Sequence, residues 1–164
     1  MDDPSKGLKA LLDILKNDGF LKLGLYSELA RKEIIEARNY IASIKLQANV
    51  DNIRDFRETV LSCETAALNS LTKSPDFYTL SSCRDLCFHT QEHRFTINQL
   101  QEILESNELE FRGFLLPKSV KSLYKHYFPE DKKQTNLQNW AKFEEKYPNT
   151  FAGMYQFWVS KMTT

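Results

Sequence analysis

Apolar residues recur at helical spacing over most of the chain. The first such segment, residues 4–16, carries Leu8, Leu11, Leu12 and Leu15 on one face, as an amphipathic helix does. The same period predicts further helices over residues 29–46, 51–61 with a continuation toward 71, 77–89, 97–106, 118–127 and 137–147. Helix therefore dominates the predicted secondary structure.

Residues with known capping preferences mark several helix boundaries. Asp3 and Pro4 suit a helix start, because Pro is tolerated in the first turn and an acid favours the positive end of the helix dipole. Thr96 followed by Gln99 predicts a capping box. Gly19 follows the first helix, where we expect it to close the helix in the left-handed conformation.

Three short stretches break the helical pattern and predict strands. Residues 20–26 are nearly continuously apolar after the turn Asn17-Asp18-Gly19, which is typical of a parallel strand covered on both faces. Residues 109–115 alternate, and the aromatic-rich residues 153–161 predict a third strand or a helix. The fold class is therefore predicted as α/β, predominantly helical. The alternative is an all-α fold in which these stretches are helix extensions or loops.

Composition narrows the class of protein. The 164 residues suit one domain, and 22 basic residues balance 22 acidic ones. This balance predicts no nucleic-acid partner and no anionic membrane surface. No apolar run approaches the roughly 20 residues that span a bilayer, and the N-terminus does not resemble a signal peptide. Three cysteines suit a reducing compartment, so a cytoplasmic location is expected.

Two histidines suggest a metal site. His89 and His93 are four residues apart, with Glu92 adjacent and Cys83 and Cys87 upstream. On a continuous helix this spacing places both imidazoles on one face. The alternative is that the histidines are half-buried near a helix end while the cysteines pack as small apolar groups. The sequence favours this alternative, because it supplies no further ligand at zinc-binding spacing.

Charged residues next to predicted elements are candidates for a ligand site. Arg84 and Asp85 are either solvated or a buried charge pair that shapes a pocket. Glu28 and Arg31 follow the first predicted strand, and open α/β sheets bind ligands at the carboxyl ends of strands. The alternative is that both face water. Cys63 is predicted to lie in the core.

Several catalytic motifs are missing from the sequence. It has no G-x-G-x-x-G, no G-x-S-x-G and no Walker loop, because its five glycines are scattered singly. These motifs supply the backbone turns that bind phosphates or expose a nucleophile. The residues alone therefore predict no complete catalytic site.

Several segments nevertheless resemble class I S-adenosylmethionine-dependent methyltransferases. The resemblance is to bacterial proteins in which that domain often accompanies tetratricopeptide repeats. Asp3-Pro4 and the turn at residues 17–19 match a "D-P, helix, L-x-P-G-G" segment, except that Asn17-Asp18-Gly19 replaces Pro-Gly-Gly. Further matches are Leu23 to Arg31, Asp76 to Tyr78, Ser82 to Leu86, Phe88 to Phe95, Phe111 to Phe114, Tyr127 to Asp131, Trp140, Phe143-Glu144 and Thr150 to Trp158.

The resemblance implies a layout for the whole chain. Residues 20–26 correspond to the family's fifth strand and 109–115 to its sixth. Residues 153–161 correspond to the seventh, which inserts antiparallel between the other two. Residues 28–106 would form a helical cap within a single domain, 1–164. The four earlier strands and the Gly-rich loop, which hold S-adenosylmethionine in complete members, have no counterpart here, so the chain is expected to bind no cofactor by itself.

Two functions follow from this layout. The chain is either the C-terminal, substrate-side portion of a methyltransferase-like protein, inactive alone, or a helical protein–protein interaction module without catalysis. An uncovered sheet edge recruits another chain, which predicts a homo-oligomer through that edge or through the aromatic C-terminal segment. The resemblance implies a substrate pocket formed by Tyr26, Glu28, Arg31, Arg84, Asp85, His89, Glu92 and His93.

Overall fold

A computed structural model describes residues 3–62, 66–89 and 92–162. These residues form two compact units: a sheet unit, residues 3–30 and 93–162, and a helical unit, the described part of Arg31–Glu92. The α-helices are α1 (Pro4–Ile14), α2 (Lys32–Ser43), α3 (Val50–Ser62), α4 (Ala66–Asn69), α5 (Leu80–Cys83), α6 (Ile97–Ser106), α7 (Lys118–Tyr127) and α8 (Leu137–Lys146). The strands are β1 (Phe20–Ser27), β2 (Arg94–Phe95), β3 (Leu109–Phe114) and β4 (Tyr155–Lys161).

The sheet unit is built on a four-stranded sheet in the order β2-β1-β4-β3. β4 pairs antiparallel with both β1 and β3, so β1 and β3 point in the same direction on either side of it. β2 was not predicted, and it pairs in parallel with only Tyr26 and Ser27 at the end of β1. The predicted α/β class with an antiparallel last strand is confirmed, and the all-α alternative is wrong.

Helices pack on one face of this sheet, while the described residues leave exposed apolar side chains on the other. Leu21 and Leu23 pack against the core, but Phe20 is 61% exposed and Trp158 is 39% exposed. The prediction that residues 20–26 are covered on both faces is therefore wrong, because β1 alternates with the pleat. The buried core comprises Ile97, Leu100, Leu104, Leu109, Phe111, Phe114, Tyr124, Leu137, Trp140, Phe143, Phe151, Tyr155, Phe157 and Val159.

Of two predictions about helix ends, one is confirmed and one is wrong. The capping box is confirmed: Thr96 Oγ1 accepts a hydrogen bond from Gln99 N, and Gln99 Oε1 accepts one from Thr96 N. Gly19 is not left-handed, so that prediction is wrong. A Cβ at Gly19 would lie 3.0 Å from Lys16 O. A close backbone approach, not a positive φ, therefore favours glycine there.

The helical unit has its own apolar core, which includes Ile41, Phe56 and Phe77. Its last part departs from the single helix predicted over residues 77–89. A 3-10 turn over Pro75–Phe77 precedes α5, and a π-helix follows over Arg84–Phe88. The unit is shorter than the predicted insertion, residues 28–106, because α6 packs in the sheet unit. Cys63 lies outside the described residues.

Candidate functional site

A buried carboxyl group links the end of β1 to α8 and β4. Glu144 Oε1 accepts a hydrogen bond from Ser27 Oγ at 2.5 Å, and Glu144 Oε2 accepts one from Tyr155 Oη at 2.6 Å. All three residues are buried. Each carboxyl oxygen therefore has its own hydroxyl donor, as a buried polar group requires.

Three elements position this Ser27–Glu144–Tyr155 network. Ser27 is the last residue of β1, and its Oγ also accepts a hydrogen bond from Ala30 N at 3.0 Å, which fixes the turn after the strand. Tyr155 begins β4 opposite Leu25. Glu144 lies on the buried side of α8. The network therefore fixes the carboxyl end of β1, the end at which open α/β sheets bind ligands.

Burial dominates the proton equilibria of this network. It raises the pKa of Glu144 above the usual value for a glutamate, although the hydrogen bonds from Ser27 and Tyr155 act in the opposite direction. Burial also raises the pKa of Tyr155, and the hydrogen bond to Glu144 raises it further. Tyr155 therefore remains a hydrogen-bond donor at neutral pH.

Replacing Glu144 with glutamine should change how stability depends on pH. The folded chain binds the Glu144 proton more tightly than the unfolded chain, since the folded-state pKa is the higher one. The stabilisation by this group is therefore complete below the unfolded pKa of about 4.3 and is lost as pH rises through the raised pKa. Urea unfolding from pH 4 to 8 should show the unsubstituted chain losing stability relative to Glu144→Gln. A difference in unfolding free energy between the two proteins that stays constant with pH would contradict this prediction.

The residues around Glu144 carry a local sequence signal for a buried carboxyl group. Trp140, Phe143 and Glu144 are separated by three and four residues, so they lie on one face of a helix. An acid on an otherwise apolar face is a candidate for a buried, hydrogen-bonded carboxyl. Its hydroxyl partner Ser27 is 117 residues away, which no local pattern reveals.

A second charged cluster lies in the helical unit. Glu92 Oε2 is 3.0 Å from Arg38 Nη2 and 3.4 Å from Arg31 Nη2, and all three side chains are largely buried. Arg38 Nε and Nη2 also donate to Leu86 O at 3.1 and 2.8 Å. Arg38 therefore ties α2 to the π-helix.

This cluster unites two of the predicted site residues. Arg31 and Glu92 form an ion pair, so the alternative that Arg31 faces water is wrong. Arg38 was missed, because it resembled one of the many charges between the apolar positions of its helix. Glu92 Oε1 is buried and accepts no hydrogen bond from the residues that the structure describes. Two guanidinium groups and one carboxylate leave the cluster with net positive charge.

Two buried thiols lie one turn apart at the junction of α5 and the π-helix. A hydrogen bond from Cys87 lowers the pKa of Cys83, and the nearby charge of Arg57 lowers it further. Burial of the Cys83 thiol acts in the opposite direction. The same contact and burial raise the pKa of Cys87. Arg84 and Asp85 are exposed, so of the two alternatives for this pair the solvated one is confirmed and the buried charge pair is wrong. The cysteines pack in the apolar core, as predicted.

The remaining predicted residues are divided between the two units. Tyr26 pairs with β2, and Glu28 N donates to Phe95 O at 3.0 Å. His93 directly precedes β2 in the sheet unit, whereas His89 follows the π-helix in the helical unit. The two histidines therefore do not share a continuous helix, on which the metal hypothesis depended.

A metal-binding cluster, a membrane-spanning helix and a Gly-rich strand-to-helix turn are absent from the described ranges. No three His, Cys, Asp or Glu side chains there come together as a metal site. No helix in this part of the chain is long and apolar enough to cross a membrane. Of the glycines described, Gly113 alone has a positive φ, and the turn from β1 to α2 contains no glycine. None of the strand-to-helix turns in the described ranges is therefore Gly-rich.

No protein-family model matches the chain. The chain is similar to the uncharacterized protein syc1184_c of Synechococcus sp. (strain ATCC 27144 / PCC 6301 / SAUG 1402/1), with 29% identity over 125 residues. The match covers 70% of this chain and 29% of the relative. The chain therefore spans less than a third of the length of the relative that it matches.

Proposed function

We propose that the chain is the C-terminal, substrate-side portion of an S-adenosylmethionine-dependent methyltransferase-like protein. The observation that carries this proposal is the strand order, with β4 antiparallel between β1 and β3. The resemblance implies this placement for the family's seventh strand between the fifth and sixth. The observed strand order agrees with the order that the resemblance implies, and this agreement supports the proposal.

The free edge of β1 also supports the proposal. β2 covers this edge only at Tyr26 and Ser27, so residues 20–25 pair on one side only within the described part of the chain. The resemblance implies that residues 20–26 have a neighbour on this side in complete members. A longer protein such as the Synechococcus relative has enough additional chain to supply a cofactor-binding half there.

The end of β1 is the proposed substrate side. The Ser27–Glu144–Tyr155 network holds this end in place, and Tyr26 and Glu28 flank Ser27. We propose that these two residues contact substrate. The resemblance also implies contributions to substrate binding from six further residues: Arg31, Arg84, Asp85, His89, Glu92 and His93. Of these, Arg31 and Glu92 form an ion pair with each other.

Calorimetry with two proteins tests the proposal. Titration of S-adenosylmethionine into the 164-residue chain should give no saturable heat. The longer Synechococcus relative should bind it with a micromolar Kd, about −8 kcal/mol of binding free energy. Micromolar binding by the short chain would contradict the division into halves. Absence of binding by the relative would contradict the methyltransferase assignment.

A second candidate function is protein–protein interaction, favoured by the exposed apolar residues Phe20 and Trp158. An uncovered strand edge pairs readily with another chain, so we propose a homo-oligomer through the β1 edge or the C-terminal aromatic strand. Light scattering after size exclusion should give at least twice the mass of one chain, with Phe20→Lys or Trp158→Lys shifting it to the monomer. A monomer at high concentration would contradict this proposal.

A further inference from the structure

A small pocket lies beside β3, at the opposite end of the sheet from β2. The pairing register shifts between Phe111 and Gly113, so Arg112 is the extra residue of a β-bulge; bulges redirect side chains at sheet edges. Gly113 lines the pocket with a φ of +122°, and a Cβ there would meet no atom within 4 Å. The bulge therefore leaves open space against the backbone, and its conformation favours glycine.

Three cations and no carboxylate line this pocket. They are Arg112, Lys121 on α7 and Lys133 in the following loop. Arg112 is partly neutralised, since its Nη2 lies 2.9 Å from Glu110 Oε2. Neither lysine forms an ion pair with any residue that the structure describes. The pocket therefore has an excess of positive charge.

The loop that carries Lys133 is held in place by hydrogen bonds. Gln134 Nε2 donates to Lys121 O at 2.9 Å, and the buried Trp140 Nε1 donates to Gln134 O at 2.9 Å. Asp131, the nearby acid, accepts hydrogen bonds from the Tyr124 hydroxyl and from two backbone amides of the loop. The Asp131 carboxylate is thus engaged within the loop, and the backbone that carries the two lysines is held by hydrogen bonds.

An exposed aromatic ring completes the pocket. Trp158 is 39% exposed and lines the same pocket as the lysines. Exposed indoles stack on planar rings, and lysines bind phosphate oxygens through charge-assisted hydrogen bonds. We propose that this pocket binds a phosphate monoester attached to a planar ring, the chemistry of a nucleoside monophosphate. The phosphate lies between Lys121 and Lys133, and the ring lies on Trp158.

This site is separate from the proposed substrate end of β1, although Trp158 also belongs to the strand proposed as an oligomer contact. It lies at β3, whereas the proposed substrate end and the free edge belong to β1, two strands away in the sheet order. It requires no methyl transfer and no cofactor half. Failure of the methyltransferase proposal therefore leaves the pocket proposal intact, and the reverse also holds.

Titration of adenosine monophosphate into the ¹⁵N-labelled chain tests the proposal. The amides of Gly113, Lys133 and Gln134 and the indole N–H of Trp158 should shift together. Lys121→Gln with Lys133→Gln should weaken binding roughly tenfold or more, because two charge-assisted contacts are lost. Trp158→Leu should remove most of the preference for adenosine monophosphate over inorganic phosphate.

The matched control replaces two exposed lysines outside the pocket, Lys125→Gln with Lys142→Gln, which has the same change in net charge. This variant should bind within about twofold of the unsubstituted chain, since distant exposed charges are screened by salt. The proposal is overturned if adenosine binds as tightly as its monophosphate, or if the shifts cluster elsewhere. It is also overturned if both lysine pairs weaken binding equally, or if no residue shifts at millimolar ligand.

Discussion

Replacing Trp140 with alanine should lower the free energy of unfolding of the sheet unit by about 3–5 kcal/mol. Trp140 is almost completely buried; its ring stacks on Tyr124 at a centroid distance of 3.7 Å and meets Phe114 edge-on at 5.4 Å. Alanine would leave a cavity among these rings, and it would remove the hydrogen bond from Nε1 to Gln134 O. Urea unfolding followed by circular dichroism measures the loss.

The control for this prediction is the second tryptophan of the same unit. Trp158 lies on the exposed face of the sheet, and its ring contributes less to the core. Trp158→Ala should therefore cost about 1 kcal/mol or less, in the range of surface substitutions. Equal losses for the two alanine variants would contradict the assignment of one sheet face to the core and the other to the exterior.

Replacing Arg38 with methionine should destabilise the helical unit by about 3 kcal/mol. The substitution keeps an apolar side chain but removes the guanidinium group from Glu92 and from Leu86 O. Breaking a buried ion pair typically costs about 3–5 kcal/mol, because one charge stays buried without its partner. Because Arg31 remains beside Glu92, we expect a cost at the lower end of this range. Amides near Ala37 and Ile41 should exchange hydrogen about a hundredfold faster.

Arg54 supplies the control within the same unit. It also faces an acid, Asp51 at 3.6 Å, but both side chains are mostly exposed. An exposed ion pair contributes about 0–1 kcal/mol, so Arg54→Met should change exchange rates less than about fivefold. An Arg38→Met variant that exchanges as slowly as Arg54→Met would show that the buried cluster does not hold α2 against the π-helix.

Features set by neighbouring residues were predictable from the sequence. The capping box at Thr96 and Gln99 depends on two residues three positions apart, and it formed as predicted. The helix over Lys118–Tyr127 was predicted to the residue. In both cases the local sequence signal agrees with the tertiary fold.

Features set by distant residues were not predictable. β2 has two residues and exists only because it pairs with the end of β1. The contact between Ser27 and Glu144 joins residues 117 positions apart, and the contact between Arg38 and Glu92 spans 54. The prediction that both faces of β1 are covered was wrong. Only Lys22 interrupts the apolar run, so the sequence of this strand resembles that of a strand covered on both faces.

The neutral composition also concealed a local charge excess. The formal charge of the whole chain is zero, yet Arg112, Lys121 and Lys133 line one pocket without an acid among its walls. The net charge of the sequence cannot reveal this local excess, because the excess depends on which side chains the bulge in β3 and the loop after α7 bring together. A net charge of zero is therefore compatible with a local cluster of cations.

The position of β4 carries the proposed function, and nuclear Overhauser effects test it directly. An antiparallel β4 between β1 and β3 places the backbone of Phe157 opposite Leu23, and that of Val159 opposite Phe111 and Leu21. We expect cross-strand backbone effects for these pairs and none joining β1 directly to β3. Backbone effects between Leu23 and Phe111, or a helical pattern over residues 155–161, would contradict the strand order and with it the proposed methyltransferase relationship.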